Sequence, residues 1–133
     1  MSLRERTAAC RELGFRTYHV YLDSGFWRQL RKRVLERDDH ECRSCGDRAT
    51  QVHHVSYARD VILGKNIEPL VSICRACHEA VEFDRHGKKR PFRKKARVWR
   101  VMDRRKKEVL AILEESRNLE NDQHQHLRAI MNG

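Results

Sequence analysis

No stretch of this chain approaches the roughly 18 consecutive apolar residues that a membrane-spanning helix requires. Its first residues also lack the apolar core of a secretory signal. These two absences exclude a spanning role and lead to the expectation of a cytoplasmic protein with no membrane partner. No internal repeat of useful length occurs, and the polar stretches are too short to form a low-complexity region, so a solenoid or a long disordered linker is excluded. The chain is also too short, at 133 residues, for a second large domain beside one modest core. Acidic residues are scarce relative to basic ones: 19 Asp and Glu stand against 29 Lys and Arg, a net charge of +10. A pI near 9.8 points to a polyanionic partner such as nucleic acid, ahead of an anionic membrane surface.

Cysteine is present in an odd number, five. Four of them form two Cys-x-x-Cys pairs, Cys42-Arg43-Ser44-Cys45 and Cys74-Arg75-Ala76-Cys77, with 28 residues between Cys45 and Cys74. In a reducing compartment such pairs read as zinc ligands before disulfides. Thiolates two residues apart can point at one ion, and a second pair closes a four-cysteine site whose role is structural. Gly46, directly after Cys45, permits the tight backbone of a knuckle. Cys10 is left over in a helical stretch, as a small buried hydrophobe.

The elements expected along the chain are these. Residues 2–14 read as a short helix, with Ser2 and Glu5 spaced as a capping box, Leu3, Thr7 and Cys10 on one stripe and Gly14 as its stop. Phe15 to Leu22, rich in aromatic and β-branched residues, reads as an extended segment or edge strand. Ser24 then caps a helix to about Arg37, with Phe26, Trp27, Leu30 and Val34 on one face and Arg28, Arg31, Lys32 and Arg33 around the rest. That basic face is either a solvated surface or a phosphate contact. Thr50 to Val55 and Leu70 to Ile73 read as strands, joined by a loop holding Gly64, Lys65 and Asn66; Ala76 to about Phe83 suits a short helix with His78 in its first turn.

Between and beside the cysteine pairs stand His53-His54 and His78. The combination of Cys-x-x-Cys-Gly, Val52-His53-His54-Val55-Ser56-Tyr57 and Leu70-Val71-Ser72-Ile73-Cys74-Arg75-Ala76-Cys77-His78 resembles the HNH endonucleases and their ββα-metal fold. The preceding Trp27-x-x-Leu30-Arg31-x-x-Val34-Leu35-x-Arg37 is similar to the helix that leads into the knuckle in many members, so the resemblance covers about residues 24–83. It implies that His53 and His78 bind one catalytic divalent ion (Mg²⁺, Mn²⁺, Ni²⁺ or Zn²⁺), that His54 is the general base, and that the products carry 5′-phosphate and 3′-hydroxyl ends. Physical chemistry agrees, because adjacent strand residues point to opposite faces, which argues against one ion taking both His53 and His54. A neutral imidazole near its ordinary pKa of about 6.5 can take a proton from water. Members often place Asn or Asp immediately before the Leu-Val of the second strand; here that position is Pro69, and Asn66, three residues earlier, is the substitute candidate for orienting the base. The competing reading of the histidines is that one of them replaces a cysteine on the zinc, or that the doublet decorates a strand surface. His19, His40, His86, His124 and His126 carry no functional expectation.

Beyond Phe83 the charge is densest, with thirteen of the 29 Lys and Arg residues between Arg85 and Lys107. From about Phe92 to Glu115 a long helix is expected, with Val98, Met102, Val109, Ile112 and Leu113 as an apolar stripe. It is basic at its start and acidic at Glu114-Glu115, against its own macrodipole, a modest cost more easily understood if phosphates meet the basic end; a solvated charge run is the competing reading. The tail from Ser116 is expected to fray or to pair with another chain.

The resulting expectation is an α+β protein: an N-terminal accessory helix and extended segment at 1–23, a zinc-stabilised, treble-clef-like ββα-metal nuclease core at 24–87 and a basic helical extension at 88–133. Its cofactors would be structural Zn²⁺ and one catalytic divalent ion. Its partner would be DNA, with RNA left open, gripped by Arg28, Arg31, Lys32, Tyr57, Arg59, Arg93, Lys94, Arg97, Arg100 and Arg104, with little sequence selectivity; for Tyr57 and Arg59 an ordinary loop-packing role is the competing reading. The alternative is a non-catalytic zinc-ribbon module that binds DNA or RNA.

Overall fold

A computed structural model of the chain describes residues 3–132. The chain divides into two units, 1–99 and 100–133. The first is a mixed α and β unit whose element order is α1 (Leu3–Glu12), α2 (Tyr18–Leu22), α3 (Gly25–Arg37), β1 (Gln51–His54), α4 (Arg59–Ile62), β2 (Leu70–Ile73), α5 (Arg75–Glu82) and the opening turns of α6 (Phe92–Asn132).

Helix α1 ends as its Gly14 predicts. Phe15 N–H donates to Cys10 O at 3.0 Å and Gly14 N–H to Arg11 O at 2.9 Å, with Gly14 at φ +91°, a left-handed cap that glycine adopts without steric cost. The expected capping residue Ser2 lies outside the described residues. Cys10 is fully buried, as a small hydrophobe would be.

Phe15 to Leu22 departs from expectation. In place of an edge strand it forms the one-turn helix α2, opened by Thr17, whose Oγ1 accepts from Val20 N–H at 3.1 Å. The aromatic content that suggested a strand reflects burial: Tyr21 is fully enclosed and its hydroxyl donates to Ile62 O at 3.0 Å. A local hydroxyl cap and tertiary packing outweigh β propensity here.

Helix α3 follows the sequence except at Phe26, expected on the buried face but exposed at 37 %. Ser24 Oγ accepts from Trp27 N–H at 3.1 Å, and Trp27, Leu30, Val34 and Leu35 are buried while Arg28, Arg31, Lys32 and Arg33 face outward. The helix stops where Asp39 and His40 take left-handed φ of 53° and 56°. Its end is tied to the sheet by Arg37 and Asp38. Arg37 pairs with both Asp38 oxygens at 2.8 Å and also donates to Ile67 O and Leu70 O, while Asp38 Oδ2 accepts from Ser72 N–H at 3.1 Å.

Strands β1 and β2 form a two-stranded antiparallel sheet in the register Gln51↔Ile73, Val52↔Ser72, His53↔Val71 and His54↔Leu70. Val55 N–H extends the ladder by donating to Pro69 O at 2.8 Å. A proline is tolerated there because only its acceptor is needed at that end of the strand. Between the strands the expected loop contains the extra turn α4, whose Val61 and Ile62 are buried.

The described residues of the second unit, through Asn132, are helix. Helix α6 continues through Asn132, well beyond the expected stop near Glu115. The sequence from Ser116 to Asn132 contains neither Pro nor Gly, so polarity there does not interrupt helical hydrogen bonding. Within this unit the expected stripe is not buried: Val109, Ile112 and Leu113 are more than half exposed. No described helix is long and apolar enough to cross a membrane.

Candidate functional site

The four paired cysteines come together. Their sulfurs all lie within 4.8 Å of one another, and Cys45 Sγ is 3.6 Å from Cys74 Sγ. None of them is in a disulfide, which would need about 2.05 Å. Tetrahedral zinc, with bonds near 2.3 Å, sets sulfurs about 3.8 Å apart, so this set can hold a zinc ion. The knuckles also supply amide donors: Asp47 N–H points at Cys45 Sγ and Cys77 N–H at Cys74 Sγ, each at 3.4 Å. Burial opposes ionisation of Cys42, yet N–H groups of the two knuckles hold its thiol down at about 7, closer to the thiolate form a metal requires. Burial and neighbouring thiols push Cys77 upward, which a bound cation would reverse.

Cys74 has a second duty, because its side chain caps α5. The cysteine cluster therefore sets the start of the helix that carries His78 and, one turn later, Glu82. Ligand atoms of His53, His78 and Glu82 lie within 4.8 Å of one another, making a second set able to hold a metal. Glu82 Oε1 is 3.5 Å from His78 Nε2 and 3.9 Å from His53 Nδ1. Gln51 Oε1 lies 2.6 Å from His78 Nδ1, orienting that ring so that Nε2 faces the carboxylate. Burial, reinforced by the nearby His78 ring and the Lys95 ammonium, lowers His53 to about 4, so its imidazole is neutral and able to ligate at neutral pH. Burial would raise the Glu82 carboxyl, but His78 and Lys95 hold it ionised at about 2.

Glu82 escaped sequence reasoning, although its position four residues after His78 on one helix was a readable signal. Lys95 escaped it as well and left none. It is buried, at 8 % exposure, and its Nζ sits 2.6 Å from Glu82 Oε2.

His54 points to the other face of β1, as strand alternation requires. It stacks on Trp27 with ring centroids 4.7 Å apart and 22° between planes, and its Nδ1 lies 3.2 Å from the Tyr18 hydroxyl. Its Nε2 is buried without a partner. The expectation of an imidazole near its ordinary pKa does not hold: burial, reinforced by the adjacent His53 ring and the Arg6 guanidinium, takes it to about 3. A phosphate entering beside it would bring negative charge and favour the protonated ring.

One cleft of about 430 Å³ is lined both by His54 and by His53, His78 and Glu82. Comparison of the chain with protein-family models, with characterised proteins and with solved structures finds no match. The site is therefore read from its own geometry.

Of the other residues singled out from sequence as site candidates, Tyr57 and Arg31 line this cleft, and Arg31 also donates to Thr50 O at 3.1 Å. Arg28 and Lys32 are exposed on α3, and Arg93, Lys94 and Arg97 are exposed on the first turns of α6. Arg59 is engaged elsewhere, in a bidentate pair with Glu12 at 2.6 and 2.7 Å that ties α4 to α1. Asn66 lies outside the cleft: its Oδ1 accepts from Glu68 N–H at 3.2 Å in a local turn. Arg100 and Arg104 belong to the second unit and are exposed there.

Proposed function

We propose that this protein is a metal-dependent endonuclease of the HNH type, hydrolysing phosphodiester bonds in DNA. The observation that carries the reading is the cleft shared by an imidazole with a free ring nitrogen and by a two-histidine, one-carboxylate ligand set. His54 would accept the proton of the attacking water through Nε2. His53, His78 and Glu82 would hold the divalent ion, with Gln51 and Lys95 keeping His78 and Glu82 in orientation. When bound, such an ion supplies positive charge to the phosphate and to the leaving 3′-oxygen. Structural zinc at Cys42, Cys45, Cys74 and Cys77 would anchor α5. The exposed Arg28 and Lys32 of α3, with Arg93, Lys94 and Arg97, would grip the DNA backbone.

A supercoiled plasmid incubated with the protein and Mg²⁺, Mn²⁺ or Ni²⁺ tests this. Nicked or linear product, lost in His54→Ala, is expected. Cleavage absent with every metal, or unchanged in His54→Ala, sinks the reading. One observation favours the alternative of a non-catalytic zinc module binding DNA or RNA, namely the burial of His54 Nε2 away from water. Retained DNA binding without cleavage in the same assay selects that alternative.

A further inference from the structure

The helical second unit leaves a long apolar face uncovered. Along α6, Met102, Val109, Ile112, Leu119, Leu127 and Ile130 follow one another at steps of 7, 3, 7, 8 and 3. On a helix these steps keep all six within about 100° of one face. The last five of them are 54–63 % exposed. From Met102 to Ile130 the stripe runs for about four heptads, or about 42 Å of helix, long enough for the seam of a coiled coil. A helix of this kind draws most of its stability from packing that seam, so a partner helix is the chemistry it calls for.

The charges on the same segment say which partner. Between residues 100 and 107 stand Arg100, Arg104, Arg105, Lys106 and Lys107 against Asp103 alone. Between 108 and 122 stand Glu108, Glu114, Glu115, Glu120 and Asp122 against Arg117 alone. Asp103 and Glu108 are engaged within the helix, by Lys107 at 3.0 Å and by Arg104 at 3.9 Å. Arg105 stands on the apolar stripe itself and Glu120 at its edge, beside Leu119; both are exposed. A parallel copy would set each charge block against itself. An antiparallel copy crossing between Ile112 and Leu113 sets each basic block against an acidic one. It also brings Arg105 level with Glu120 of the second copy, because the two positions are equally far in sequence from the crossing.

We infer that α6 beyond Arg100 is a self-association surface through which two copies of this chain pair as an antiparallel two-helix coil. The interface is isologous, one patch complementary to itself in apolar face and in charge. Arg105 within the seam selects the orientation at a cost in stability, as a polar residue in a coiled-coil core does. The acidic residues of the second copy also offset the cost of a helix whose charge order opposes its own macrodipole. This pairing stands independently of the nuclease reading; on that reading each particle carries two clefts.

The test uses the full, zinc-loaded chain at low salt without nucleic acid. Size exclusion with light scattering should give the mass of a dimer, and sedimentation equilibrium its Kd. Ile112→Glu should give a monomer that keeps the thermal transition of the cysteine-bearing unit. Arg105→Glu and Glu120→Arg should each weaken the dimer by at least about 10-fold, since each places like charges together twice across the two-fold axis. The two substitutions combined in one chain should restore it, because the pairs are then re-formed with their signs exchanged. A parallel pair would be indifferent to all three variants of charge, since its like-with-like contacts stay like-with-like. A monomer at every concentration, a dimer that survives Ile112→Glu, or charge reversals that are silent or not rescued by their combination overturns the inference. Association seen only when DNA is added also overturns it, and assigns the face to the nucleic-acid complex.

Discussion

Buried Lys95 and half-buried Glu82 form an ion pair, with Nζ 2.6 Å from Oε2, while the other carboxylate oxygen faces His53 and His78. One carboxylate is thus shared between a fixed ammonium and a place where a metal ion can sit. The ammonium holds Glu82 ionised and in one orientation, which is what a ligand set requires before the metal arrives.

Glu82→Gln, His53→Ala and His78→Ala should each abolish or greatly weaken divalent-ion binding at this site while leaving the zinc-supported fold in place. Outer partners of a metal ligand are commonly worth about 10–100-fold in affinity, so loss of a ligand should cost at least that. Titration calorimetry with Mn²⁺ reads the affinity and a thermal melt reads the fold. Disappearance of the melting transition in all three variants would contradict the division between the two sites.

The cysteine site makes the opposite prediction. Cys74 is both a zinc ligand candidate and the cap of α5, so Cys74→Ser or Cys42→Ser should unfold the first unit. Structural zinc contributes about 10–16 kcal/mol at neutral pH, as much as a domain's whole stability. Circular dichroism melts, with and without a chelator, check this: a cooperative transition that survives zinc removal would show that the metal is dispensable to the fold.

His54 couples stability to pH. Its folded value of about 3 lies below the ordinary 6.5, so between these limits the unfolded chain binds the extra proton and stability falls as pH drops below about 6.5. The loss approaches about 1.4 kcal/mol per pH unit for each such ring. Melting temperature followed from pH 8 to 5.5, without added divalent ion, should fall less steeply in His54→Phe. Parallel curves for the two proteins would mean that the ring is not held neutral by burial.

DNA affinity should fall linearly on a log–log plot against salt, and removing Arg93, Lys94 and Arg97 together should reduce that slope by about three if each meets a phosphate. Arg59→Ala should leave the slope unchanged, because its guanidinium is held by Glu12. Fluorescence anisotropy over a salt series measures both; a slope altered only by Arg59→Ala would reverse the assignment.

Much of the architecture was legible without coordinates because its signals are local. Ser24 caps the helix it was expected to cap, Leu70 to Ile73 form the expected strand, and Gly14 ends α1. The errors fell where distant packing decides. Tyr18 and Tyr21 read as strand residues because aromatic character signals burial as well as extension, and nothing nearby says what will bury them. The helix beyond Glu115 was missed because polarity was weighed above the lack of any helix-breaking residue.

The sequence by itself determined the two Cys-x-x-Cys knuckles, the histidine doublet with its opposed faces, and the net positive charge, since spacing, strand alternation and composition need no tertiary contact. Only the folded chain decided that Glu82 and Lys95 join His53 and His78, that Arg59 is spoken for by Glu12, and that Tyr18 rather than Asn66 meets His54. Each of these depends on side chains brought together across many residues, by α3 and α5 packing on the two-stranded sheet and α1 packing on α2 and α4. Short-range propensity carries no information about such pairings; burial and charge in the assembled unit do.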